Sequence, residues 1–253
     1  VTLIKYFLDN AKANNWFVNV ADFSADLAKQ AVGNSENGKA IFFNVTNDKQ
    51  RESEISDADI VISMLPASMH ILVAEDCVRL GKNMVTASYV SKKLTALDEK
   101  AKKSGVLLLN EIGLDPGIDH MSTMKIIDQI KDDGSELVML KSYTGGLIAP
   151  ESDNNLWNYK FTWNPRSVVL AGQGGDAKFI EKNKYKQIPY NELFKNTEPL
   201  EIDKYGNFEA YANRDSLKYQ NIYKLTIVNS NMRHPQEIEV WYIMPSIRKE
   251  LCN

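Results

Sequence analysis

The sequence predicts an α/β protein whose first half is a doubly wound parallel sheet, and three observations carry that prediction. Short β-rich runs alternate with amphipathic helical stripes from residue 2 to about residue 111, the pattern of a parallel sheet covered on both faces. An acid, Asp22, ends the first strand-like run, where a dinucleotide-binding sheet carries its ribose-binding carboxylate. Beyond residue 111 the texture changes. Helical stripes become rare, and aromatics, Gly, Asn and Pro become frequent, as a second, mixed α/β domain with long loops requires.

The elements follow in order. Leu3, Ile4, Phe7, Leu8 and Ala11 form one stripe of a helix over Thr2 to Ala13. Trp16 to Ala21 reads as a short buried strand. Ser24 can cap a helix carrying Leu27, Ala28 and Ala31, and Gly33 can end it. Ala40–Phe43 is a second strand, and Ile60–Leu65 is the clearest strand in the chain. Met69, Leu72, Val73, Cys77 and Val78 stripe the next helix, which Gly81 closes. Met84–Thr86 and Val106–Leu109 are further strands, with a helix holding Leu94, Leu97 and Ala101 between them. A helix from His120 to Ile130 opens the second half. With the boundary near Asn110–Gly113, the expected domains are 1–111 for dinucleotide binding and 112–253 for substrate.

Composition narrows the function. Of the 253 residues, 43% are apolar and 25% charged, the profile of a soluble globular protein. A formal net charge of -3 with no dense Lys/Arg stretch argues against nucleic acid or an anionic membrane as the main partner. The apolar runs are far too short to span a bilayer, and Val1–Lys5 has no signal-peptide pattern. Cys77 and Cys252 stand alone, so no metal site or disulfide framework is expected and a cytoplasmic location fits.

In a Rossmann unit the glycine-rich turn after the first strand holds the pyrophosphate at a helix N-terminus, and the acid follows roughly 20 residues later. Counting back from Asp22 lands at or just before Val1. The helix at Thr2–Ala13 is then the first crossover helix, and the expectation is that the central strand and its glycine loop lie outside the chain. The strands at Phe17–Ala21 and Asp59–Leu65 would each lack a hydrogen-bonding neighbour. The competing reading is that Asp22 simply caps the next helix. A carboxylate at that position accepts hydrogen bonds from a 2′-hydroxyl and repels a 2′-phosphate, and Phe23 and Ser24 supply no Arg. Of NAD and NADP, NAD is therefore expected.

The strand ends carry the chemistry. Carboxyl ends of parallel strands face the ligand crevice. Ile60–Leu65 leads into Pro66–His70, and Met84–Thr86 leads into Ala87–Ser88–Tyr89. The last strand leads into Asn110–His120, which packs three carboxylates, a His and two turn residues into eleven positions. His120 reads as a hydrogen bonder at a helix start, and His70 as equally structural.

That eleven-residue stretch, NEIGLDPGIDH, closely resembles the saccharopine dehydrogenase family, specifically its glutamate-forming reductases. The similarity continues through Ser142–Leu147, Ala149–Glu151, Tyr159–Trp163 and Asn213–Ser216, and upstream through Val61–Pro66 and Val85–Tyr89, covering about residues 1–225. The resemblance implies a Rossmann domain with an α/β substrate domain, often dimeric. It also implies a reaction: reductive condensation of 2-aminoadipate 6-semialdehyde with glutamate to saccharopine, or the reverse, in lysine metabolism. By motif position, Ser63, Met64, Leu65, Ser88, Leu114, Asp115 and Pro116 would line the cofactor. Tyr89, Asp115 and Arg214 would contact the small amino-acid substrate. Tyr89 and Asp115 are the candidate proton handlers, and Arg214 is the candidate fork for a substrate carboxylate.

The sequence departs from the family at several points. Thr144 stands where a Cys is frequent, and Asp22 replaces an Arg-bearing pattern. In the stretch Val228–Pro235 only Arg233 matches a family segment that grips substrate, and Gln236–Asn253 shows no likeness. The chain is expected to be incomplete at both ends. Two alternatives stand beside the leading reading: a relative acting on another amine–aldehyde adduct such as a carboxyspermidine, and a catalytically incomplete, non-enzymatic fragment.

Overall fold

The computed structural model describes residues 2–156, 158–161, 165–171, 175–181, 184–225 and 237–245. It divides into two compact units, Val1–Ile118 and Asp119–Asn253.

The first unit alternates helix and strand. Helix α1 (Thr2–Asn14) buries Ala11 completely and sets Ile4 against a small core of Val20, Ala28 and Val32. Strand β1 (Val18–Asp22) follows, then α2 (Ala25–Val32) and β2 (Gly38–Phe42). The caps of α2 are the residues that the sequence nominates. Ser24 Oγ accepts from the Leu27 N–H at 3.3 Å, and Gly33, at φ 59°, donates its N–H to Lys29. β1 and β2 are parallel, in register from Val18 opposite Gly38 to Asp22 opposite Phe42. Gly38 packs closely, since a Cβ there would lie 2.7 Å from Leu8 Cδ2 and 3.0 Å from Val32 Cγ1, and the Leu8 side chain would have to turn aside.

Helix α3 (Asp48–Ser56), strand β3 (Ile60–Ile62), helix α4 (His70–Leu80) and strand β4 (Asn83–Val85) come next. Helices α5 (Lys92–Thr95) and α6 (Asp98–Lys103) lead to β5 (Leu108–Leu109). The principal core joins Val45, Ile55, Val73, Ala74, Cys77, Met84, Leu94 and Leu97, with Val61 and Leu65 packed against it. Sequence periodicity does not announce α3, which reads DKQRESEIS and has almost no apolar stripe. Its inner face is formed by Ile55 and by Arg51, a buried cation. Arg51 Nε meets Asp76 Oδ2 of α4 at 2.5 Å, and Nη1 donates to the Val45 carbonyl at 2.6 Å. Two expected elements are shorter than their apolar runs. The run Ile60–Leu65 gives a strand only to Ile62, although the Ser63 N–H still donates to Val85 at 2.8 Å. The helix through Leu94 and Ala101 is interrupted at Ala96–Leu97, where the Leu97 N–H contracts onto the Leu94 carbonyl.

Strands β3, β4 and β5 are parallel and adjacent in that order, so their carboxyl ends share one edge. β1 pairs only with β2, and β3 only with β4, among the described residues. Inserting one parallel strand between β1 and β3 would give the order 3-2-1-4-5-6 of a Rossmann sheet. The two open edges fall where the sequence places them.

The second unit takes up the chain with α7 (Ile118–Asp132), whose first residue closes the unit before it. Its elements are β6 (Met139–Thr144), α8 (Pro165–Ala171), β7 (Ala177–Glu181), β8 (Lys184–Ile188), β9 (Thr197–Ile202), β10 (Gly206–Ala212), α9 (Tyr219–Ile222) and β11 (Glu237–Pro245). The sheet runs β8-β7-β11-β10-β9, and β6 joins β11 in parallel. Two antiparallel pairs, β7 with β8 and β9 with β10, account for the dearth of helical stripes in this half of the sequence. Ala177, Phe179, Leu193, Ala210 and Ala212 form its core, and Ile127 packs with Tyr219 and Tyr223.

Candidate active site

A parallel sheet delivers its functional side chains from the loops beyond its carboxyl ends. In the first unit three such loops converge. After β3, Ser63 is buried at 3% exposure, Met64 is exposed and Leu65 packs into the core. The Ser63 hydroxyl is turned inward, 2.8 Å from His70 Nδ1. After β4, Thr86 is buried, its Oγ1 accepts the Ser88 N–H at 3.3 Å, and Tyr89 stands 44% exposed.

After β5 the loop is stitched to its neighbour. Glu111 sits in the left-handed region at φ 58°, uncommon for a residue with a side chain. Two contacts hold it there: its N–H donates to the Ser88 carbonyl at 3.1 Å, and its Oε1 accepts from the Val90 N–H at 3.0 Å. Residues 113–117 close on themselves. The Gly113 N–H donates to the Pro116 carbonyl at 2.9 Å, and the Ile118 N–H donates to the Gly113 carbonyl at 2.9 Å. Gly117, at φ 150°, lies so close to Gly113 that a Cβ would come within 2.1 Å of its carbonyl oxygen.

This closed turn presents Asp115. The Tyr89 hydroxyl donates to Asp115 Oδ1 at 3.0 Å, joining two residues 26 positions apart. Leu114 projects from the turn at 73% exposure, and Pro116 is buried beneath it. Asn110 Oδ1 is buried and has no partner among the described residues. The edge thus offers a phenol–carboxylate pair for proton handling, exposed Met64 and Leu114 as apolar cover for a flat ring, and an amide acceptor still lacking a donor. Those groups suit the nicotinamide half of a dinucleotide.

Asp22 ends β1, exposed, with Oδ1 accepting the Ser24 N–H at 2.7 Å. The cap of α2 is Ser24 rather than Asp22, and the Asp22 carboxylate holds that cap residue's N–H while remaining at the rim. In the second unit Arg214 is exposed just past β10, left-handed at φ 41°, and its carbonyl accepts the Lys178 N–H at 2.6 Å. Arg233 lies outside the described residues. His120 Nδ1 is 2.5 Å from the Tyr223 hydroxyl and its ring lies against Tyr219, a packed structural role.

Sequence reasoning missed one participant. His70, 1% exposed, bridges two strand ends: Nδ1 lies 2.8 Å from Ser63 Oγ, and Nε2 lies 2.7 Å from Ser88 Oγ. Burial lowers its pKa, so the ring is held neutral. The available signal was the pair of hydroxyl residues at the ends of neighbouring strands, with a His starting the helix between them.

Fold and strand-end residues together define a class: a Rossmann-type α/β unit followed by a second α/β unit. Comparison with known proteins makes this specific. The model of the saccharopine dehydrogenase NADP binding domain matches residues 5–109, and that of the saccharopine dehydrogenase C-terminal domain matches residues 113–249. The chain belongs to the saccharopine dehydrogenase family, as the motif around Asp115 leads one to expect. It is 36% identical over 232 residues to the Schizosaccharomyces pombe saccharopine dehydrogenase (NADP(+), L-glutamate-forming), covering 90% of this chain and 51% of that protein. Against the Arabidopsis thaliana alpha-aminoadipic semialdehyde synthase it is 35% identical, over 89% of this chain and 22% of the other. The solved apo saccharopine dehydrogenase (L-Glu forming) from Saccharomyces cerevisiae superposes with a TM-score of 0.85 at 31% identity, over 96% of this chain and 53% of that one. The chain spans about half the length of the curated saccharopine dehydrogenases it matches. The matching domain model and the Schizosaccharomyces pombe relative name NADP, so the preference for NAD drawn from Asp22 gains no support. No helix among the described residues is long and apolar enough to cross a membrane.

Proposed function

We propose that the protein carrying this chain interconverts saccharopine and water with glutamate and 2-aminoadipate 6-semialdehyde, with NADP as the redox partner. The observation that carries the reading is the Tyr89–Asp115 hydrogen bond, set within the family's motif at the carboxyl edge of the parallel sheet. Condensing an amine with an aldehyde expels water, and the departing hydroxyl needs a proton. A phenol donating to a carboxylate can deliver one and recover it. When bound, the reduced nicotinamide supplies the hydride. Met64, Leu65, Ser88, Leu114 and Pro116 are assigned to line it, together with the backbone of Ser63, whose hydroxyl points inward. Arg214, with its exposed fork, is assigned to a substrate carboxylate. Asp22 is assigned to the start of α2, because its Oδ1 is already engaged by Ser24. A reducing compartment belongs to the same reading and agrees with the free, buried thiol of Cys77.

The test is turnover followed by nicotinamide absorbance. Tyr89→Phe and Asp115→Asn are each expected to lower kcat by roughly 100-fold, the lower range for a lost acid–base group. The double variant should be no slower than the worse single, since the pair acts as a unit. Oxidation of a carboxyspermidine in place of saccharopine would overturn the substrate assignment. Wild-type kcat in both single variants would overturn the roles.

A further inference from the structure

We infer that His70 is a positioning residue that ties the carboxyl ends of β3 and β4 together through the hydroxyls of Ser63 and Ser88, and so fixes Tyr89 for its partner Asp115. The inference rests on the functional reading above. The ring lies at the first turn of α4 and is almost fully enclosed, at 1% exposure. Both nitrogens are engaged, at 2.8 Å and 2.7 Å, by serines from two different strand ends. A neutral imidazole has one N–H donor and one bare acceptor. It can therefore satisfy both hydroxyls at once only if one serine accepts from the ring and the other donates to it. Burial favours that neutral form.

The consequence travels along a short, continuous path. Ser88 is the residue before Tyr89, and three contacts fix it: His70 Nε2 on its hydroxyl, Thr86 Oγ1 on its N–H, and the Glu111 N–H on its carbonyl. Only the first of these reaches back to the end of β3. Without it, the segment that carries the Tyr89 phenol loses its side-chain anchor on α4, and the two strand ends keep only the backbone bond from the Ser63 N–H to the Val85 carbonyl. A neutral Phe of similar size fills the space of the ring but makes neither hydrogen bond. Gln extends an amide toward the Nε2 position and Asn toward the Nδ1 position, so the two amides separate the Ser88 contact from the Ser63 contact.

The test compares His70→Phe, His70→Gln and His70→Asn in the protein that carries this chain, by turnover and by backbone hydrogen exchange. His70→Phe is expected to lower kcat at least tenfold while KM for saccharopine stays within twofold. His70→Gln should recover kcat to within threefold of wild type, and His70→Asn should not. Exchange across residues 86–91 should quicken at least tenfold in the Phe and Asn variants and remain near wild type in the Gln variant. A Phe variant with wild-type kcat and wild-type exchange would overturn the inference. So would Gln and Asn variants that behave alike. If the Phe variant does not fold, the Gln–Asn contrast decides. If the wild-type protein ignores saccharopine, the functional reading fails, and the exchange data still decide whether His70 holds the strand ends.

Discussion

Replacing Gly117 with Ala tests whether the closed turn is what presents Asp115. A Cβ on Gly117 would lie 2.1 Å from the Gly113 oxygen, 2.5 Å from its nitrogen and 2.8 Å from its carbonyl carbon. All three are backbone atoms, so no side chain can swing aside. Reaching even 3.0 Å from the oxygen takes a shift of about 0.9 Å within a five-residue turn already closed by two hydrogen bonds of 2.9 Å. The backbone at φ 150° adds strain of its own for any residue with a Cβ, on the order of 1–3 kcal/mol. In a chain of this size 1 kcal/mol moves Tm by roughly 2–4 °C. A displacement of about 1 Å in a catalytic constellation costs on the order of 100-fold in rate. Gly117→Ala should therefore lose far more activity than stability: kcat down about 100-fold, and Tm down by roughly 2–12 °C. Steady-state turnover beside a circular-dichroism melt measures both. Gly175→Ala, where a Cβ meets nothing within 4 Å, is the control. A Gly117→Ala protein with kcat within twofold of wild type and an unchanged Tm would refute the claim that the turn's close approach sets the site.

Two further predictions concern the body of the first unit. Asp76→Ala leaves the buried Arg51 guanidinium, whose Nε–Oδ2 contact is 2.5 Å, with only the exposed Asp48 carboxylate and the Val45 carbonyl, and should destabilise in a urea titration by less than the roughly 3–5 kcal/mol of a wholly unpaired buried charge. Arg51→Met with Asp76→Leu should recover most of that loss, and no recovery would mean that the pair is not what holds α3 on α4. The Cys77 thiol, pushed up to about 12 by burial and by the neighbouring Asp76 carboxylate, stays protonated in the folded chain. Its alkylation at pH 8 should wait for unfolding. Because the folded value is raised above the ordinary 9.0, its contribution to stability is complete below pH 9 and is lost as pH rises toward 12; fast labelling of native protein at pH 8 would contradict the burial.

What the sequence showed and what it hid differ in kind. Periodicity reports on one residue and its own solvent exposure, so it found β1, α2 with its Ser24 and Gly33 caps, and α4 with its Gly81 stop. The count back from Asp22 led to strands at Phe17–Ala21 and Asp59–Leu65 each short of a neighbour, and among the described residues β1 pairs only with β2 and β3 only with β4. Helix α3 escaped because its inner face is made by a charge. Asp76, the buried partner of Arg51, stands 25 positions later, and no window of local hydropathy contains that fact.

The site divides along the same line. The motif around Asp115 was legible as a cluster of unusual residues, and Tyr89 as a hydroxyl at a strand end. Their pairing across 26 positions is a product of strands β4 and β5 lying side by side. His70 was read as structural for the same reason: an imidazole enclosed in a core is ordinary until both its nitrogens are seen to end on hydroxyls from separate strands. Burial alone would make His70 interchangeable with an apolar ring. The two serines make it a clamp, because each hydroxyl it satisfies would otherwise be left buried or part-buried against protein at a cost of about 1–3 kcal/mol. The same energy that stabilises the clamp therefore limits the movement of the two loops, and the loop after β4 is the one that carries Tyr89. Stability and site geometry are in this respect one interaction rather than two.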